Sequence, residues 1–450
     1  KVVEYAKYRP PEAPERVALR SFFCYNTLSK GPVNERYFTE GKPMRRLILL
    51  LLLLAAALSM TGCLTVTGDE PALQAPTQEP VQEPAQQEPV TVDVPETRVW
   101  SRQHHSVWGR EPETVSAVFE RISGAADHGM TTGQELLLLD FMDCYYQSVS
   151  GLEVIDCAEL FTDRAQSDYH RTVWRTLAAV RSLSPIDLHA DAYSYSLRCT
   201  DLTQDGDTAD LTLLESSVMY FNGLNGLPSE QWNVKHSFRL ARISGDRWRI
   251  AKHVSDDNPY YSADYDEDAD TDRNLPTLLA CIASREAQPR QAWTPEVTWD
   301  HDYDRDAALD YMLTYSAKRS PAYKAYDELG GNCMNFGSQV LAAGGVPALS
   351  GGYQDGWFYY SSTNVSLPWV NVGGFLDLAA SHTGSGLVAV VGAPYFAGEV
   401  GDIITMGVEE PRNHTTVICG VLTDDAGQTV DYLLCSNTAN LRNYPASAYY

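Results

Sequence analysis

Gly330-Gly331-Asn332-Cys333-Met334-Asn335-Phe336-Gly337-Ser338-Gln339 sets a cysteine between a glycine turn and a helix-forming run. From Met334 to Ala342 the apolar Phe336, Val340 and Leu341 fall on one side at helical spacing. Cys333 therefore opens a helix, where free N–H groups and the helix dipole favour a thiolate and can hold an oxyanion. A cysteine nucleophile needs an imidazole base, usually from a later strand and oriented by a third polar side chain. His414 begins such a strand, His414 to Val421, with Asp424-Asp425-Ala426-Gly427 as a turn and Val430 to Ser436 as the return. A four-residue loop sets Thr423 opposite Gln428 and His414 opposite Asn437, with Cβ atoms about 5 Å apart. Cys333, His414 and Asn437 are thus the candidate catalytic residues, in a chemistry that needs no metal or cofactor.

Flanking these residues are Tyr303-Asp304-Arg305-Asp306-Ala307-Ala308, a helix from Ala307 to Arg319, Ala343-Gly344-Gly345, Trp369-Val370-Asn371-Val372, Gly401-Asp402-Ile403-Ile404 and Asn413-His414-Thr415-Thr416-Val417-Ile418. Taken together they make the region from Val297 to Tyr450 resemble the amidase domain catalogued as amidase family six, among the papain-like cysteine peptidases. The resemblance implies a papain-like fold that cleaves an amide or peptide bond. The family usually reads Asp-Cys-Thr-Asn-Phe-Val-Ser-Gln where this chain has Asn332, Met334 and Gly337, and has a His-Thr near Asn437-Thr438. Cys419 and Cys435, inside strands, read as core thiols. Trp357 and Trp369 suit packing and substrate walls equally, and His382 reads as a surface residue.

Met44, Arg45 and Arg46 precede an apolar run from Leu47 to Leu58, which ends in Ser59-Met60-Thr61-Gly62-Cys63. A basic start, an apolar core and small residues before a cleavage point describe a secretory signal, residues 44–62. The run falls short of the roughly 20 residues that span a bilayer. Thr61-Gly62-Cys63 resembles a lipobox, which implies diacylation of Cys63 and an extracytoplasmic protein anchored to the membrane by lipid. Residues 1–43 are then expected to be an upstream extension absent from the mature protein. The Pro/Gln/Glu-rich segment 63–99, with loose QEP repeats, cannot build a core and reads as an extended tether.

Residues 100–260 read as an accessory α+β domain. Helices are expected at Glu113 to Arg121, Gln134 to Tyr146 and Asp168 to Leu183. Strands of period two follow at Tyr193 to Cys199, Ala209 to Leu213, Val234 to Ile243 and Trp248 to His253. The layout resembles the cone-shaped folds related to nuclear transport factor two. No paired acid and base stands out, and His236 and His253 read as structural histidines. Segment 261–296 is an acidic linker. Its aspartates from Asp264 to Asp272 fail the EF-hand pattern, because Ala269 and Pro276 stand where glycine and glutamate are required.

A net charge of −25 argues against nucleic acid. Nine cysteines without a CxxC pair argue against zinc knuckles and a disulfide scaffold, and suggest buried free thiols. The whole chain reads as an α+β lipoprotein carrying a cell-surface cysteine hydrolase, with cell-wall peptides as natural neighbours. An acyltransferase of the same chemistry and an inactive binding scaffold are the rival readings.

Overall fold

Alternation such as Tyr193-Ser194-Tyr195-Ser196-Leu197 turns one face of a strand to a core and the other to water. In the computed structural model this pattern lengthens into strands of up to 16 residues. Described are residues 122–255, 279–280, 282–290, 293–294, 301–406, 414–438 and 440–449, with the backbone of strands at 19–22 and 97–99. The expected helix at Glu113 to Arg121, the signal segment and the Asp264 to Asp272 run lie outside them. So does the expected tether except for Thr97–Val99 at its end, which form a strand rather than a free spacer. Among the described residues no helix is long and apolar enough to cross a membrane.

Four short strands come first: β1 (Leu19–Phe22), β2 (Thr97–Val99), β3 (Ile122–Ser123) and β4 (Val154–Asp156). Two helices accompany them. Helix α1 (Thr132–Gly151) starts on a capping box between Thr131 and Gln134, and α2 (Arg164–Arg181) is capped by Asp163. Next come β5 (Ala190–Asp205), β6 (Thr208–Phe221), β7 (Ser229–Ser244) and β8 (Arg247–Ser255), each antiparallel to the one before. Tight turns at Gly206 and Gly245 join two of these pairs; both glycines have positive φ, as such turns require. The helices cover one face of this sheet, with Phe141 of α1 against Phe238 at 5.5 Å and Trp174 at 5.9 Å between ring centroids.

Inside that layer His236 and His253 are buried and bonded, as expected of structural histidines. Their ring nitrogens lie 3.0 Å apart, and His236 Nε2 lies 2.8 Å from Glu215. An acid and a base therefore do meet here, contrary to the sequence expectation. The strand period hid it, because Glu215 and His236 come together only when β6 pairs with β7. Nearby, Tyr195 donates to Asp143 at 2.7 Å, and burial pushes the Asp143 carboxyl up to about 7. Burial, with His236 adding to it, pulls His170 down to about 3.

The C-terminal half supplies α3 (Arg305–Tyr315), α4 (Cys333–Ala343), β9 (Tyr359–Ser361), β10 (Asn364–Val365), α5 (Leu367–Val370) and α6 (Val372–Ser381). Strands β11 (Ala389–Val391), β12 (Ile403–Met406), β13 (His414–Thr423), β14 (Thr429–Ser436) and β15 (Asn440–Pro445) complete it. One mixed sheet runs through both halves in the order β11-β1-β12-β13-β14-β15-β7-β6-β5-β3, with β8 branching from β7. The halves join where Asn440, Leu441 and Arg442 face Trp232, Gln231 and Glu230. The backbone of β1, from the expected upstream extension, runs parallel to β11 and β12 between them. Cysteines 144, 157, 199, 333, 419 and 435 are buried free thiols.

Three of the motif segments turn out to be one brace. The Arg305 guanidinium reaches Asp402 at 3.0 Å and Glu399 at 2.9 Å, and donates to the Val400 carbonyl. Tyr303 donates to the Gly401 carbonyl at 3.0 Å, while Asp304 N–H donates to the Gly344 carbonyl at 2.8 Å. A Cβ on Gly344 would stand 2.2 Å from the Tyr303 ring, and one on Gly401 2.8 Å from its hydroxyl. Both glycines are there so that the Tyr303 ring can lie flat between two loops.

Candidate active site

Cys333 is the first residue of α4, as the glycine turn ahead of it suggests. The turn is held by a chain of buried amides. Trp369 Nε1 donates to Asn335 at 3.0 Å, Asn335 to Asn332 at 2.8 Å, and Asn332 to Asn437 at 2.9 Å. Asn437 in turn donates to the carbonyls of Tyr315 and Ser316, each at 3.0 Å. These are among the carbonyls a helix leaves without partners at its C-terminus, so Asn437 finishes α3. The Asn332 N–H donates to Thr438 Oγ1 at 2.6 Å, and Thr438 holds a left-handed backbone with φ of 64°. A β-branched residue adopts that conformation only when its surroundings impose it.

The Cys333 side chain is 7% exposed. Burial pushes its thiol above the ordinary value, and the backbone N–H groups of Thr415 and Met334 beside it pull it back only in part. The helix terminus therefore does not produce a resting thiolate, because desolvation is the larger effect. Thr415 directly follows His414, so the thiol lies against the opening of β13. His414 is partly buried, and desolvation draws its imidazole down to about 4. Its Nε2 lies 3.4 Å from Ser436 Oγ, and its ring centroid 5.8 Å from that of Tyr449. Both shifts favour the neutral form, of the thiol and of the imidazole alike.

The structure brings the Cys333 thiol to the His414 segment, yet commits the Asn437 amide to Asn332 and to α3. The hairpin register is the reason. Asp424 to Gln428 form a five-residue loop, in which Asp424 Oδ1 accepts from the N–H groups of Ala426 and Gln428 at 2.9 Å. Thr423 faces Thr429, and near the site Val417 faces Cys435 where a four-residue loop gives Leu434. Carried to the end of the strand, that one-residue slip sets Thr438 rather than Asn437 opposite His414, while the Ser436 hydroxyl reaches the His414 ring by its own side chain. No sequence signal marked Ser436, since a serine ending a strand is commonplace.

The departures from the usual motif are paired in space. Asn332 and Asn437, both of which the sequence sets apart from the motif it resembles, bond to each other as two neutral amides. A Cβ on Gly337 would lie 3.3 Å from Met334 Cε, so the long Met334 fills the room that a valine at 337 would take. Trp357, which donates to Ser338 at 3.0 Å, and Trp369 are both buried in the core and form no substrate wall. Among the described residues no group of three or more His, Cys, Asp or Glu side chains is arranged to hold a metal ion.

A mixed sheet thus carries a cysteine-led helix whose thiol lies against the strand that a histidine opens. The family described as "Putative amidase domain" matches residues 302–449, and the C-terminal third of the chain carries that domain. The chain is also similar to the "Uncharacterized protein YhbB" of Bacillus subtilis (strain 168), 32% identical over 118 residues. That match spans 26% of this chain and 37% of the relative's length.

Proposed function

We propose that the C-terminal half is a papain-like cysteine hydrolase, preceded by a cone-shaped domain of the kind related to nuclear transport factor two. Cys333 attacks the carbonyl of an amide or peptide, and His414 takes the thiol proton and returns it to the leaving amine. Water then resolves the acyl-enzyme. The observation that carries this reading is the Cys333 thiol at the head of α4 against the N–H of Thr415, the neighbour of His414. The neutral resting pair makes His414 a general base during attack, with proton transfer and bond formation concerted. The signal-like segment ending at Cys63 supports export and a lipid anchor, which in turn makes peptidoglycan stem peptides the nearest substrates.

The test is incubation of the protein with cell-wall peptides, followed by mass spectrometry for new amino and carboxyl ends. Residues that act as one unit are not additive, so Cys333→Ala and the double variant with His414→Ala should lose the same activity. Cleavage that survives Cys333→Ala refutes the reading. Amine adducts in place of free acids would assign an acyltransferase, and binding without turnover an inactive scaffold. Cys63→Ala should release the protein from membranes.

A further inference from the structure

We infer that Ser436, not Asn437, is the residue that positions the His414 imidazole; this rests on the proposed roles of Cys333 and His414. Ser436 is fully buried. Its Oγ lies 3.0 Å from the Asn437 carbonyl, 3.2 Å from that of Thr415 and 3.3 Å from that of Thr438. Carbonyl oxygens only accept, and a hydroxyl has a single proton to give. Three carbonyls, each nearer than the ring nitrogen, compete for that proton, and we assign it to one of them. The remaining polar neighbour is His414 Nε2 at 3.4 Å, toward which Oγ can only accept. A neutral His414 thus carries its proton on Nε2 and keeps the lone pair on Nδ1.

The ring is set up for one job. As Cys333 Sγ bonds to the substrate carbonyl carbon, the carbonyl π pair moves to oxygen and the Sγ proton moves to Nδ1. The Nε2 proton stays on Nε2 throughout, hydrogen-bonded to Ser436 Oγ. When the tetrahedral intermediate collapses, the C–N bond breaks and the Nδ1 proton goes to the leaving nitrogen. Three carbonyl dipoles polarise the hydroxyl in the sense that supports an imidazolium, without placing a full negative charge in the core. Asn437 cannot serve, because its oxygen accepts from Asn332 and its nitrogen donates to two carbonyls.

Nuclear magnetic resonance of the full chain with isotope-labelled histidine rings tests the tautomer without any change at Ser436. The ring signal that His414→Ala removes should show a protonated Nε2 at neutral pH. A protonated Nδ1 overturns the assignment. In parallel, the rate of Cys333 alkylation is followed against pH in the parent, Ser436→Ala, Ser436→Thr and His414→Ala. Ser436→Ala should slow alkylation about 10-fold, as loss of an orienting partner typically does, and move the profile toward that of His414→Ala. Ser436→Thr keeps the hydroxyl and should restore the parent profile. If Ser436→Ala matches the parent while His414→Ala is slower, Ser436 has no such role and the base assignment stands. If all four coincide, the Cys333–His414 reading falls, and this assignment with it.

Discussion

Replacing Asn437 by alanine should cost stability and leave the chemistry of Cys333 almost untouched. Asn437 is 1% exposed and makes hydrogen bonds to Asn332, Tyr315 and Ser316 at 2.9, 3.0 and 3.0 Å. At about 1 kcal/mol net for each, the loss is about 3 kcal/mol, rising toward about 5 if the two carbonyls stay dry. For a structure of this size that corresponds to a fall in Tm of about 5 °C. Asn437→Asp is the sharper probe. It keeps an acceptor for Asn332 but aims a negative charge at two carbonyl oxygens, so at neutral pH it should be less stable than the alanine variant. Its folded-state carboxyl is thereby raised, and the folded chain binds the extra proton. Stability should therefore recover as pH falls through that raised value. Urea unfolding followed by tryptophan fluorescence is a suitable assay, because buried Trp369 belongs to the same amide chain. The reasoning fails if Asn437→Ala keeps the parent's midpoint and instead shifts the pH profile of Cys333 alkylation as His414→Ala does. Asn437 would then orient the base after all.

Gly337→Val alone should destabilise the C-terminal half by about 1–3 kcal/mol, since the new side chain meets Met334, Ile403 and Thr415. Adding Met334→Thr should recover most of that in a double-mutant cycle; strictly additive losses would show that the two sites do not share space. Acid stability should depend on His170, whose folded pKa of about 3 lies below its ordinary 6.5. The unfolded chain binds the extra proton between those values, so stability rises with pH across that window and is lost as pH falls through it. His170→Phe should remove about 2.5 kcal/mol of that loss at about pH 4.5. Parent and variant melts that respond identically to acid would refute the assignment.

Much of this arrangement is local and can be read along the chain. A glycine turn before an amphipathic run put Cys333 at the head of α4, and period-two alternation located β5 to β8. What escaped was set by partners distant in sequence. The Asp424 side chain captures one more residue than the turn seemed to need, and one residue of register moves every neighbour of His414. The joining of β15 to β7 left no trace either, since a strand shows its buried face in its pattern but not which strand lies at its edge. The resemblance named the flanking motif residues without giving them a role. Only the structure makes Arg305, Asp402, Gly344 and Gly401 a brace.

The bonds from Asn440, Leu441 and Arg442 to β7 bear on how this protein can be divided. A fragment that begins after the acidic linker would leave β15 with a row of unpaired N–H and C=O groups, a template on which a second copy can add its own strand. It would also strip the Ala448 carbonyl of the Arg181 guanidinium, which donates to it from α2 at 2.7 and 3.0 Å. The hydrolase region recognisable as a family in sequence is thus smaller than the piece that closes its own sheet. The accessory layer is the edge strand's partner as much as a neighbour on the chain.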